Sequence, residues 1–180
     1  LPAQAVLDFW FSRAAARHWF DSNPAFDRTV RERFEATWDE ARAGGLSAWE
    51  QTASGALALV IVLDQFPLNM YRGQAVSFST EAQARDVADR AIGRGFDRRL
   101  TGDRRAFLYL PFMHSESLAD QDRSVALYRS AGLEKNLEFA LNHRDIVRRF
   151  GRFPHRNRIL GRTSSSAELA WLASPGAFNP

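Results

Sequence analysis

The chain has 180 residues, 45% of them hydrophobic and 12% aromatic, which is enough to bury a core and excludes a disordered chain. It has no cysteine, which excludes disulfides and thiolate metal sites and suits a reducing cytosol. The net charge is only +3, modest for a nucleic-acid binder.

No charged leader precedes an apolar stretch at Leu1, so no signal peptide is expected. The most apolar run, Ala56–Leu63, is far shorter than a membrane span. A cytoplasmic protein without membrane contact is the expectation. All but one of the 24 cationic side chains are arginine, the exception being Lys135. Arginine suits bidentate contacts to carboxylate and phosphate, although a GC-rich coding sequence also enriches it.

Val6, Phe9, Trp10 and Arg13 predict a short first helix. Asn23-Pro24 reads as an N-cap followed by proline at the first helical position. Phe26, Val30, Phe34 and Trp38 then recur every four residues, and Gly44-Gly45 ends that helix. Ser47-x-x-Glu50 reads as a capping box for a helix running through Ala56–Leu63 to Phe66, where Pro67 stops it. A loop follows from Pro67 to Ser79. Thr80-x-x-Gln83 reads as a second capping box, and Gly93 and Gly95 close the helix it opens. Arg104–Leu118 contains Pro111 and is expected to kink there or break in two. Further helices are predicted over Asp120–Ser130 and Leu133–Phe150, and a last one over Ala167–Ala173 behind the Ser165-x-x-Glu168 box.

No segment alternates at period two, and no linker-like run divides the chain. The reading is all-α: antiparallel helical pairs in a single domain, 1–180. Phe66-Pro67 followed by Asn69 and Gly73 has a faint echo in Phe153-Pro154 followed by Asn157 and Gly161. It is too weak for a sequence repeat but marks two similar loops.

Basicity is concentrated in residues 143–162, where seven arginines face one acid, Asp145. That stretch carries +6, so the other 160 residues sum to −3. Asp64 shares a face with Leu57, Val60 and Ile61, so a buried carboxylate is expected there. It needs a cation or a proton, and Arg72 and the arginines of 143–162 are the candidates. His143 sits on the apolar face with Phe139 and Val147, where a core histidine bonded to a neighbour is the plain reading. His114 and Glu116 are two apart and so point to different sides of a regular helix. No H-E-x-x-H, P-loop, dinucleotide or G-x-S-x-G fingerprint occurs, so no cofactor and no metal is expected.

Several runs together resemble a known family: Val6-Leu7-Asp8-Phe9-Trp10-Phe11; Leu63-Asp64-Gln65-Phe66-Pro67 with Asn69 and Tyr71-Arg72-Gly73; Phe107 through Glu116; and His143-Arg144-Asp145 through Arg149–Asn157. The chain is similar to domain-of-unknown-function family 924, a bacterial family also found in plants. The resemblance implies an all-helical, tetratricopeptide-like superhelical array and no activity. Leu68 departs from the arginine common in that family after the first Phe-Pro.

Polar residues bordering apolar helices define the candidate site: Asp64, Gln65, Asn69, Arg72, His114, Glu116, His143, Arg144, Arg152, His155, Arg156 and Asn157. Its arginines favour a small anion or a peptide end as partner. The same residues also suit an enzyme with a His/Glu/Asp acid–base pair. A third reading is purely structural, with the arginines paired to Asp64, Glu116 and Asp120. Nucleic acid is the least favoured partner, because Phe150, Phe153, Ile159 and Leu160 tie the basic stretch to the core.

Overall fold

The computed structural model describes residues 1–177, and among these every regular element is a helix. The chain divides into two compact units. Unit 1 comprises residues 1–72 and 76–111, and unit 2 comprises 73–75 and the chain from Phe112 onward.

Unit 1 opens with α1 (Ala3–Trp10) and the single turn α2 (Arg13–Ala16). α3 (Pro24–Arg42) starts as its sequence requires: Asn23 caps the Phe26 amide and Pro24 sits in the first turn. It ends at the predicted glycines, with Gly44 at φ 84. α4 (Ala53–Val60) packs on α1 and on α6 (Glu81–Gly93), and every residue from Gly55 to Val60 is buried, as an all-apolar helix requires. The rings of Phe9, Trp10, Phe34, Phe66 and Phe107 pack on one another in the same unit. Phe34 and Phe66 stack at 4.5 Å, and Trp10 meets Phe107 edge-on at 5.7 Å.

Three local expectations fail in unit 1. Ser47–Gln51 is a 3-10 turn without a side-chain cap, and the helix behind it is capped instead by Thr52, which accepts the Gly55 amide. Thr80 caps nothing, because its hydroxyl donates to the Leu63 carbonyl at 2.5 Å and accepts from Trp38 Nε1.

Pro67 does not stop the apolar helix. The chain widens into a π-turn over Ile61–Gln65 and resumes as α5 (Phe66–Met70) with Pro67 in its first turn. In a regular α-helix Leu63 O would need the amide of residue 67, which proline lacks, and the ring would press on that carbonyl. The π-turn relieves the clash, and Thr80 supplies the missing donor. The combined run Ala53–Met70 is thus longer than Ala56–Leu63 suggests. By length and composition it could cross a membrane, but 83% of it is buried in the fold.

α7 (Gly102–Met113) stays a single helix with Pro111 inside it rather than two pieces. Its last residues begin unit 2, where α8 (Leu118–Ser130) and α9 (Glu134–Phe150) pack as a hairpin through a turn at Gly132. Gln121 is fully buried and donates from one amide nitrogen to the carbonyls of Met113 and Ser115, both at 2.7 Å, so it closes the end of α7. α9 ends at Gly151, whose φ of 72 suits glycine and whose amide returns to Val147 O. Beyond it come a 3-10 turn (Pro154–Arg156) and α10 (Ser166–Leu172), which carries the predicted Ser165–Glu168 capping box. Ile146, Val147 and Phe153 form a small core here, flanked by Phe150 and Trp171.

Candidate functional site

The structure places four of the predicted site residues in unit 1 and eight in unit 2. In unit 1, Asp64 and Gln65 lie on the π-turn and are buried, with Gln65 Nε2 donating to Asp64 Oδ2. Asn69 and Arg72 converge on a carboxylate the sequence did not single out, Asp27 on α3. Arg72 donates to both of its oxygens at 2.7 and 3.1 Å, and Asn69 Nδ2 reaches it at 2.7 Å. Ser22 adds a further donor at 2.7 Å. Burial opposes ionisation of Asp27, but Arg72, Asn69 and Ser22 outweigh it and hold the pKa below its ordinary 3.8. Arg72 is therefore committed to Asp27 and is not the cation that Asp64 was expected to recruit.

In unit 2, acids from outside the arginine-rich stretch answer much of its charge. Glu116, just past α7, accepts Arg162 through both oxygens at 2.8 Å and the Phe153 amide at 2.7 Å. Burial again opposes its charge, but Arg162 and the Phe153 amide keep its pKa below the usual range. Glu168 accepts Arg152 at 2.7 and 2.9 Å and the Ser165 amide at 2.7 Å. The Arg152 contact is the main reason its pKa falls to about 2. Buried Asn157 joins the two pairs, donating to Glu168 at 3.3 Å and to Ser164 at 3.0 Å while accepting from Arg162 Nε at 2.9 Å. Arg144 finds Asp122 on α8 at 3.3 Å. Asp122, rather than the expected Asp120, is the acid seen beside it; Asp120 accepts the Ser115 hydroxyl at 2.6 Å. Sequence reading missed Arg162, Glu168 and Asp122. The capping box at Ser165–Glu168 was the available signal for Glu168.

Three of the remaining site residues, His143, His155 and Arg156, gather round one ring, Phe153. His143 meets it edge-on at 5.7 Å, His155 lies over it at 5.5 Å, and the Arg156 guanidinium sits 5.0 Å from its centre. Arg156 is buried and donates to His114 O at 3.1 Å. His114, His143 and His155 each keep part of their surface in solvent. Burial of its ring, and then the charges of His114, His155 and Arg156, lower the His143 pKa to about 3. Burial and then Arg156 lower that of His155 to about 4. Both imidazoles are thus neutral near pH 7.

His143 Nδ1 lies 2.7 Å from the Phe139 carbonyl, which can only accept, so Nδ1 carries the proton. Nε2 is left with a lone pair. Among the described residues no group of three His, Asp or Glu side chains is placed to hold a metal.

The family described as "Bacterial protein of unknown function (DUF924)" matches residues 6–176. The chain is also similar to a solved protein of unknown function, ATU0120 from Agrobacterium tumefaciens. The two share 44% identity and a TM-score of 0.89 over 95% of this chain and 96% of that one. No curated protein matches the chain.

Proposed function

Since the chain belongs to the DUF924 family, whose activity is unknown, its function has to come from its own residues, and we propose that unit 2 binds a small anion at the wall of His114, His143, His155 and Arg156. One observation carries this reading: two part-exposed imidazoles, His143 and His155, and the Arg156 guanidinium crowd a single aromatic ring, and both imidazoles are held neutral there. An anion against this wall favours the protonated imidazoles that burial and Arg156 now oppose. Binding and proton uptake are then linked, and affinity rises as pH falls toward the folded values of about 4 and 3.

Thermal unfolding with citrate, phosphate and acetate, at matched ionic strength and at pH 7 and about 4.5, tests this. A stabilisation by at least one anion that grows at the lower pH and shrinks in His155→Gln supports it. Equal midpoints with and without every anion, at both pH values, refute it.

A second reading, a catalyst in the same place, draws on the lone pair of His143 Nε2. With a pKa near 3 this nitrogen is a weak base, so it could act only once a bound anion had raised its basicity. The structural reading is favoured by Arg152 and Arg162, each held by a buried or half-buried carboxylate. It accounts for those arginines and for the His143 bond to the Phe139 carbonyl, but gives no reason for two part-exposed imidazoles to share one ring with a guanidinium.

A further inference from the structure

A second feature of unit 2 lies apart from the histidine wall in its lining. A cleft of about 400 Å³ is bordered by Arg149, Phe150, Arg152, Ser165, Ala167 and Glu168. Its volume falls in the range of small-molecule sites. Among the described residues Arg149 makes no ion pair, and its guanidinium rests on the Phe150 ring at 4.8 Å.

The hydrogen-bonding capacity of the wall is one-sided. Glu168 is 3% exposed, and both its oxygens are spent on Arg152, Asn157 and the Ser165 amide. Arg152 uses Nε and Nη2 on Glu168 and Thr163, which leaves Nη1. Ser165 Oγ accepts the Glu168 amide and keeps its own proton to give. The cleft therefore offers donors from Arg149, Arg152 and Ser165, while its one carboxylate is saturated. Two guanidinium charges against that carboxylate leave +1, matched by a monoanion and over-matched by a dianion. Phe150, set against Trp171 at 5.7 Å, and Ala167 supply an apolar surface beside these donors.

We infer that this cleft is a binding site for a monocarboxylate with an apolar body, its carboxylate held by Arg149 with help from Arg152 and Ser165 and its body against Phe150 and Ala167. The inference stands on residues other than the histidine wall, so either site can fail alone.

Benzoate is the probe. Acetate supplies the charge without the body, benzyl alcohol the body without the charge, and inorganic phosphate a second charge. NMR titration of the full chain, followed at the Trp171 indole N–H, reads this site directly. Saturable binding of benzoate is expected, with acetate, benzyl alcohol and phosphate each at least about 5-fold weaker. Arg149→Ala, an exposed change that leaves the core intact, is expected to weaken benzoate at least about 5-fold. A benzoate affinity no better than that of any control, no response at Trp171, or unchanged affinity in Arg149→Ala overturns the assignment. The His143 and His155 resonances report the other site and do not enter this decision.

Discussion

Each unit contains a loop built on the same words, Phe-Pro, then asparagine, then arginine, and the two loops do different things. In unit 1, Phe66 is buried, Pro67 opens a short helix, Asn69 is buried, and Arg72 grips Asp27 through two bonds. In unit 2, Phe153 is buried, Pro154 opens a 3-10 turn, Asn157 is buried, and Arg162 grips Glu116 through two bonds. Up to that point the chemistry is the same: a ring anchors the loop, an amide orients it and a guanidinium fastens it. The difference lies in what surrounds the ring. Phe66 sits among Phe9, Trp10 and Phe34, whereas Phe153 is ringed by His143, His155 and Arg156. The first loop is a fastening. The second is a fastening with polar, titratable groups at its rim, and for that reason function is assigned to it.

Carboxylate removal sharpens the contrast most. Glu168→Ala strands Arg152, leaves the Ser165 amide without its acceptor and takes one of two acceptors from buried Asn157, and a loss of about 3 kcal/mol in urea unfolding is expected. Asp27→Ala strands Arg72, but that side chain is about half exposed and can turn to water, and buried Asn69 loses one acceptor while keeping Ser22 Oγ. The loss there should be only about 1 kcal/mol.

A third test uses acid. The unfolded imidazoles take a proton near pH 6.5, while folded His143 and His155 resist until about 3 and 4. Unfolding therefore takes up protons below 6.5, so stability from these two groups is full above that pH and falls as pH drops toward the folded values. Asp27 and Glu35 of unit 1 have lowered pKa values, so their contribution persists until pH falls below the ordinary carboxylate range. Hydrogen exchange, corrected for intrinsic rates, should show α9 losing protection between pH 7 and 5 while α3 keeps it. Equal losses in both helices would erase the distinction. The smallest effect is expected from Arg158→Ala, an exposed arginine without an ion pair among the described residues: a change within about 0.5 kcal/mol.

The helical fold was legible because its signals are local. Asn23-Pro24, Gly44 and the Ser165–Glu168 box each act within a few residues. The misread starts at Ser47 and Thr80 show where local signals stop. Thr80 prefers Leu63, seventeen positions away, because Pro67 has left that carbonyl without a donor. Likewise, Asp27 and Asp122 are ordinary surface-type acids in sequence, and only the fold brings Arg72 and Arg144 to them. His143 was legible as a histidine bonded to a neighbour but not as a core one, since it is part-exposed and Phe139, read on the same apolar face, is exposed; its gathering with His155 round Phe153 was not legible either. That depends on the turn at Gly151 folding the chain back past the end of α9.

If the imidazoles around Phe153 are the rim of an anion site, their own titration must respond to the anion. Histidine ring resonances would be followed by NMR from pH 7 down to 3, with and without saturating citrate. Citrate is expected to raise the pKa values of His143 and His155 by at least about one unit. Superimposable curves for His143 and His155 in the two conditions would contradict it.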